Sequence, residues 1–219
     1  MSDLQNALFD STMNIFNSLS FYSPIIICVS IVVFSMFTST MEKAFVFFVW
    51  IFIITFIRII VFKGFKSTPN QDFVSNEIPT ICLTGISELF IPKDVTYSTF
   101  ILTFTMMYLV TPMIMISKQN NVNVMNYGIL AFFLAYIALD LFIKNLLSCI
   151  QLFSSLVIGD VLSGLFLGGV ISGIIMYGST LKGYLYINEI NTNKEVCSMP
   201  SKQQFKCRVF KDGTLIGNI

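Results

Sequence analysis

Long blocks of apolar residues with very few charges inside them limit the folds that this chain can adopt. The blocks cover about residues 22–37, 44–62, 96–117, 124–143 and 160–177. A helix needs about 20 apolar residues to cross the hydrocarbon core of a bilayer. Because the blocks are apolar on all sides, they favour helices over the alternating strands of an outer-membrane barrel. The sequence therefore predicts an all-α polytopic membrane protein, a bundle of about five transmembrane helices.

The composition agrees with lipid as the solvent for most of the chain. Of 219 residues, 55% are hydrophobic and 11% are charged, whereas soluble domains carry about 25% charged residues. The formal net charge of +1 gives no electrostatic reason to expect nucleic acid as a partner. Histidine is absent, which removes the commonest general base and the commonest neutral metal ligand. We therefore predict no catalytic residue, no metal site and no cofactor.

Three shorter segments complete the predicted organisation. Residues 1–21 mix apolar and polar side chains in the pattern of an amphipathic N-terminal helix on the membrane surface. Residues 81–91 are apolar but too few to span, which predicts a short re-entrant or interfacial helix. Residues 22–181 are assigned to the transmembrane bundle and 182–219 to a soluble C-terminal tail. In that tail, Asp212-Gly213 between two strand-like runs predicts a small β-hairpin.

Charged residues near the ends of the blocks have two interpretations. Arg58 lies about one turn from the end of its block, where snorkelling to the interface is favoured over a functional role. Asp140 and Lys144 have the i and i+4 spacing that predicts an ion pair at the interface. Lysines outside spans are more often snorkelling anchors than ligand contacts. The candidates for holding the phosphate headgroup of a membrane lipid are Lys63, Lys66, Lys93 and Lys144.

The basic residues do not decide the orientation by themselves, because they lie on both predicted sides of the membrane. The predicted topology puts the N-terminus and the loops 63–95 and 144–159 on one side and the tail on the other. The basic tail favours a cytoplasmic C-terminus. The membrane in which the protein resides is left open.

The five cysteines do not have the close paired spacing of a zinc site. Cys28, Cys82 and Cys149 lie in apolar stretches and are predicted to be packing residues. Cys197 and Cys207 in the tail would form a disulfide in an oxidising compartment and would remain thiols in the cytosol. Both alternatives stay open at this point.

Glycines in the last block recur at a spacing of four residues. Gly164 with Gly168, and Gly169 with Gly173, match the small-xxx-small pattern that lets a second helix approach closely. Packing inside the bundle is the favoured interpretation. Homo-oligomerisation through this face is the alternative.

The run DVLSG at residues 160–164 resembles the last core helix of the type-2 phosphatidic acid phosphatase superfamily, which includes lipid phosphatases and vanadium haloperoxidases. In that family a Ser-Arg pair and a histidine nucleophile precede the aspartate, which orients the histidine. Here Cys149-Ile150 stand at the Ser-Arg positions and Leu156 stands at the histidine position. The resemblance covers about residues 44–178.

Most residues of the other two motifs of the family are absent from this sequence. Only Pro92 matches the Pro-Ser-Gly-His motif, and Pro69 lies in the loop that corresponds to the Lys and Arg-Pro motif. Phosphoryl transfer through a covalent histidine needs a nucleophile, and no residue replaces it. Asp160 without that histidine is predicted to cap the N-terminus of the last span. The resemblance therefore implies a phosphatase-like bundle that has lost its catalytic residues.

Three functions are weighed on these grounds. The first is a non-catalytic membrane scaffold or partner-binding protein, in contact with membrane lipid and with a protein partner through its tail. The second is an active lipid phosphatase or a protein that binds a phosphate headgroup. The third is a channel or transporter, for which Pro112 is the only candidate residue. Heavy use of Phe, Ile, Asn and Lys indicates an AT-rich genome, and a compact membrane protein of this kind suits a large DNA virus as well as a cell.

Overall fold

A computed structural model describes residues 14–66, 82, 94–120, 125–178, 182–190, 208–211 and 214–218 of the chain. The membrane part consists of α1 (Asn14–Phe21), α2 (Ser23–Phe37), α3 (Met41–Lys66), α4 (Tyr97–Asn120), α5 (Tyr127–Leu146) and α6 (Ser155–Tyr177). A 3₁₀ turn at Lys182–Tyr184 and the short helix α7 (Ile187–Ile190) follow. The strands β1 (Arg208–Lys211) and β2 (Thr214–Asn218) pair antiparallel. Asp212 and Gly213 lie outside the described residues, so the hairpin turn stays a prediction.

Within the described residues, four helices are long and apolar enough to cross a membrane: α3, α4, α5 and α6. The helices α1 and α2 add a fifth span if they are counted together, although they are bent by 72°. The bend falls where Pro24 occupies the first turn of α2, a position at which proline is tolerated. Residues 1–13 of the predicted amphipathic helix and all of 81–91 except Cys82 lie outside the described residues. The predicted helical architecture is confirmed, with several apolar helices long enough to span a membrane.

The central helix of the bundle is α4. In its most apolar stretch 67% of the residues are buried by protein, against 22–28% in the other three candidate spans. It packs along α6 and α5, and it continues through Pro112 without a break. The other spans keep a broad apolar surface that faces outward, as lipid contact requires.

Two glycines let α6 lie directly against α4. A Cβ on Gly164 would fall 2.8 Å from the carbonyl oxygen of Phe100, and a Cβ on Gly168 would overlap the backbone of α4 in the same way. Gly169 has only ordinary van der Waals neighbours, and Gly173 has nothing within 4 Å. The first glycine pair therefore packs inside one chain, as the favoured interpretation has it, and the second pair makes no close approach.

The first residues of the predicted soluble tail belong to the bundle. Leu185, Tyr186 and Ile190 are buried. The Tyr186 hydroxyl is hydrogen-bonded to Ser35 Oγ at 2.6 Å, and Asn126 Nδ2 donates to the carbonyl oxygen of Ile190 at 2.9 Å. The bundle thus extends past residue 181, where the sequence ends it, to Ile190. We call this end of the bundle the tail end.

The opposite end, which we call the loop end, carries the end of α3, the start of α4, the end of α5 and the start of α6. Side chains from all four helices meet there, and Ser20 of α1 reaches the same place by donating to Asp140 at 2.5 Å. The segments that join α3 to α4 and α5 to α6 therefore begin and end on one face of the bundle. This is the arrangement that the predicted topology gives them.

Candidate functional site

Arg58 on α3 is bonded to acids from two other parts of the chain. Its Nε and Nη2 contact the two carboxylate oxygens of Asp94 at 2.8 and 2.9 Å. Its Nη1 and Nη2 contact those of Asp160 on α6 at 2.6 and 3.0 Å. Both carboxylates are thus bound bidentately, which the planar guanidinium permits and a lysine ammonium does not. We call Arg58, Asp94, Thr96 and Asp160 the Arg58 cluster.

Thr96 and the ring of Phe100 enclose the Arg58 guanidinium together with the two aspartates. Thr96 Oγ1 lies within hydrogen-bond distance of Asp94 and Asp160, and the ring of Phe100 lies 4.7 Å from the guanidinium carbon. One arginine against two aspartates leaves a formal charge of −1. The Asp94 side chain is 1% exposed, that of Arg58 10% and that of Asp160 18%. The cluster is therefore almost closed, with its widest access at Asp160.

A second cluster lies on the other side of the start of α4. Lys144 Nζ donates to Asp140 at 2.9 Å, to Thr99 at 3.2 Å and to Ser98. Asp140 accepts further hydrogen bonds from Ser20 at 2.5 Å, Thr99 at 2.6 Å and Ser98 at 3.1 Å. Both charged side chains are completely buried. We call these five residues the Lys144 cluster; it is electrically neutral and every charge in it has several hydrogen-bond partners.

The helix α5 ends at Leu146 in a Schellman motif whose first residue is Lys144. The N–H of Cys149 donates to the carbonyl oxygen of Lys144 at 2.8 Å, and the N–H of Ser148 donates to that of Asn145 at 3.0 Å. Ser148 has the left-handed φ of 58° that this motif requires. The helix end therefore fixes the position of Cys149 beside the Lys144 cluster.

Cys149 is joined to Cys82 by a disulfide, with 5.6 Å between the two Cα atoms. The bond ties the segment between α3 and α4 to the linker between α5 and α6. The prediction that both are packing residues is wrong, because they form this bond. The sequence does not signal it, since 67 positions separate the two cysteines. Cys28 is a half-buried free thiol. Cys197 and Cys207 lie outside the described residues.

Two predictions for charged residues are corrected by this geometry. Arg58 does not snorkel to the interface, because two carboxylates hold its guanidinium against the bundle. Asp160 does not cap α6, because the helix begins earlier, at Ser155, after Ser154. The Ser154 hydroxyl accepts the N–H of Val157 at 3.4 Å and is the cap. Asp160 consequently lies in the second turn, where it contacts Arg58.

The predicted pair of Lys144 and Asp140 is present, although it is buried inside the bundle instead of exposed at the interface. The Lys144 ammonium is enclosed by protein oxygens, so its predicted headgroup role has no support here. Lys63 and Lys66 lie in the last turns of α3, and their side chains are outside the described part of the molecule. Lys93 lies outside the described residues. The headgroup role of these three stays a prediction.

The positions that carry the phosphatase resemblance hold no nucleophile and base pair. Leu156, at the histidine position, is 54% exposed on the surface of α6. Cys149, at the serine position, is bonded to Cys82. Asp160 contacts Arg58 and not a histidine. The resemblance itself stays a prediction.

Several residues of the two clusters were not among the predicted site residues. Each has a polar side chain and lies next to an apolar block, either just before or within the first turn of α4 or at the end of α1. Such side chains in a membrane helix need hydrogen-bond partners inside the bundle, and this was the available signal. The residues are Ser20, Asp94, Thr96, Ser98 and Thr99.

Among the described residues, no group of three or more cysteines and acids is arranged to hold a metal ion. A cavity of about 660 Å³ lies between α2, α3 and α4. Its lining is apolar except for Cys28 and the hydroxyls of Thr55 and Tyr97, which are bonded to each other at 2.9 Å. A substrate pocket usually has convergent polar groups, and this cavity does not present them.

Comparison of the chain with models of protein families, with curated protein sequences and with solved structures finds no match.

Proposed function

We propose that this chain is a non-catalytic multi-pass membrane protein that acts as a scaffold or partner-binding protein. The observation that carries the proposal is the pairing of the charges at the loop end. Arg58 is bonded to two aspartates, and Lys144 is bonded to Asp140. An unpaired charge inside a membrane bundle is costly, whereas a paired one joins the elements that supply its partners. Arg58 connects α3 to α6 through Asp160, and Asp140 connects α5 to α1 and α4 through the hydroxyls of Ser20 and Thr99.

The proposal accounts for the chemistry of the loop end as well as for its architecture. Nucleophilic catalysis needs a nucleophile next to a base that activates it. Cys149 has no free thiol, and the hydroxyls of Ser98 and Thr99 face a carboxylate that is already paired with Lys144. A lipid phosphatase is the alternative. In that alternative, Arg58 would have to exchange Asp160 for a phosphate group.

The tail beyond Ile190 is the part that we propose contacts a protein partner. The strands β1 and β2 pair with each other in this tail. The tail follows Ile190, which is buried in the bundle. The bundle itself contacts membrane lipid. A second copy of the chain is an alternative partner.

The catalytic alternative is tested with purified protein in detergent. Phosphate release from phosphatidic acid and from a soluble phosphomonoester is measured with and without Mg²⁺, beside Asp160→Asn as the matched control. We expect the two preparations to give the same background rate, because Asp160 contacts Arg58 and not a nucleophile. Turnover by the parent chain that Asp160→Asn removes, with both proteins monodisperse, would contradict the non-catalytic proposal.

The partner role of the tail is tested by truncation at a position that the structure supplies. A chain that ends at Ile190 keeps Leu185, Tyr186 and Ile190 buried, whereas a chain that ends at residue 181 removes them. We expect the first truncation to keep the folded bundle and to lose proteins that cross-link to the full chain in its native membrane. An unchanged cross-linking pattern would move the partner surface to the bundle or to the loop end.

A further inference from the structure

The disulfide between Cys82 and Cys149 lies outside the membrane-spanning helices. Cys149 belongs to the linker between α5 and α6, and Cys82 belongs to the segment between α3 and α4. Both segments emerge at the loop end. The bond therefore lies on one side of the membrane only. Its presence depends on whether the compartment on that side is oxidising or reducing.

The backbone geometry at the two cysteines suits a disulfide. The Schellman motif after α5 holds the backbone of Cys149, and Cys82 is 1% exposed. The Cα separation of 5.6 Å lies within the range of roughly 4.4–6.8 Å found for disulfides. Covalent pairing at this place is thus compatible with the positions of both elements without rearrangement.

Formation of the bond needs an oxidising environment. Two thiols exchange with the disulfide of an oxidant, so that one S–S bond forms, one S–S bond breaks and the oxidant leaves as two thiols. The glutathione and thioredoxin systems of the cytosol keep such thiols reduced. The lumen of the secretory pathway, the periplasm and the cell exterior allow the bond to persist.

We infer that the loop end faces an oxidising compartment and that the tail end, with the C-terminal tail, faces the cytosol. This assignment does not depend on the proposed function, since a scaffold and a phosphatase would be oriented by the same bond. The orientation rests on the disulfide, because basic residues lie at both ends of the bundle. Lys43, Lys118 and Lys182 lie at the tail end, whereas Lys63 and Lys66 lie in the last turns of α3 at the loop end.

The inference also chooses between the alternatives for the tail cysteines. Cys197 and Cys207, on the cytosolic side, remain thiols. Cys82 and Cys149, on the oxidising side, form a disulfide. The redox states of the two cysteine pairs therefore indicate which side of the membrane each pair faces.

The first experiment uses the full chain inserted into sealed endoplasmic-reticulum microsomes, whose outer face is cytosolic. One variant keeps Cys82 and Cys149 alone, with Cys28, Cys197 and Cys207 replaced by serine. A second variant keeps the two tail cysteines alone. Each is treated with a membrane-impermeant maleimide polymer before and after reduction with permeabilisation.

We expect the tail variant to gain two polymers at once, without reduction. We expect the variant with Cys82 and Cys149 to gain none until it is reduced and permeabilised, and then to gain two. The opposite pattern would overturn the orientation, and free Cys82 and Cys149 thiols in the folded chain would overturn the bond.

A second measurement does not use cysteines at all. Asp72→Thr turns Asn70, in the segment after α3, into a glycosylation acceptor, and Glu195→Thr does the same for Asn193 in the tail. We expect one glycan, removable by endoglycosidase, on the first variant and none on the second. A glycan on the tail variant alone would overturn the inference even if the cysteine variants failed to fold.

Discussion

The two charge clusters share the start of α4 but differ in how their charges are brought together. The Arg58 cluster joins α3, the segment before α4 and α6, which are far apart in the sequence. The Lys144 cluster has both charges one turn apart on α5. The first carries a formal charge of −1 and is partly exposed, whereas the second is neutral and completely buried.

This difference separates two ways of placing a charge in a membrane protein. A pair within one helix is determined by spacing, and its cost is met by hydroxyls that neighbouring helices supply. A pair across helices exists only after the helices have assembled, and it then joins them. The Lys144 cluster should therefore respond most to the loss of one charge, and the Arg58 cluster to changes in how α3, α4 and α6 approach each other.

The largest effect is expected for Asp140→Ala. This change leaves the Lys144 ammonium buried without a counter-charge, which costs about 3–5 kcal/mol of unfolding free energy. The double variant Asp140→Leu/Lys144→Met removes both charges and is expected to recover most of that loss. Unfolding in detergent, followed by circular dichroism, measures both. A double variant as unstable as the single one would show that the hydroxyl network, and not the lone charge, sets the cost.

Arg58→Lys is expected to cost somewhat less, about 2–3 kcal/mol. The charge is kept, but the bidentate contacts to Asp94 and Asp160 are lost and water can enter at the exposed edge of the cluster. Lys118→Arg exchanges the same side-chain types at an exposed position and is expected to stay within about 0.5 kcal/mol of the parent. Equal unfolding free energies for Arg58→Lys and the parent would contradict a bonding role for the guanidinium geometry.

Gly164→Ala is expected to cost about 1–3 kcal/mol, because the new methyl group would meet the backbone of α4. Gly164 lies one turn after Asp160, so the displacement should also weaken the contact of Asp160 with Arg58. Gly173→Ala is the matched control. It has open space around it and should be neutral or stabilising by up to about 1 kcal/mol.

Combinations of these changes test whether the two clusters are energetically coupled. Gly164→Ala should be non-additive with Arg58→Lys, since both act on the contact between α3 and α6. It should be additive with Asp140→Ala, since that residue contacts α4 and α1 from another helix. Non-additivity with Asp140→Ala would mean that the clusters are coupled through the start of α4.

The smallest effect is expected for Ser20→Ala. It removes one of several donors to Asp140 and the link from α1, at a cost of about 1 kcal/mol. Ser18→Ala on the exposed side of the same helix loses only a local bond to the backbone of Asn14 and should be close to neutral. A difference of zero between the two variants would show that α1 is held by other contacts, such as the 2.8 Å bond from Tyr136 to the Leu19 carbonyl oxygen.

The candidate site was predictable from the sequence only where its partners lie on one helix. The pairing of Asp140 with Lys144 follows from a spacing of four residues. The contacts of Arg58 and the disulfide of Cys82 do not, because their partners are 36 or more positions away. The start of α6 is also hard to predict, and the sequence places it at Asp160 instead of Ser155. The cap at Ser154 lies in a linker whose fairly apolar composition hid where α6 begins.

The blocks in the sequence are sufficient to predict a helical chain with several membrane spans. Their length and uniform apolarity leave no other way to satisfy the backbone in hydrocarbon. Which helices are neighbours follows from the fold alone. The partners of Arg58, the bond between Cys82 and Cys149, and the close packing of Gly164 but not Gly173 depend on it. Lipid is as apolar as the helices, so hydrophobicity does not select among neighbours; small residues, polar contacts and a covalent bond make that choice.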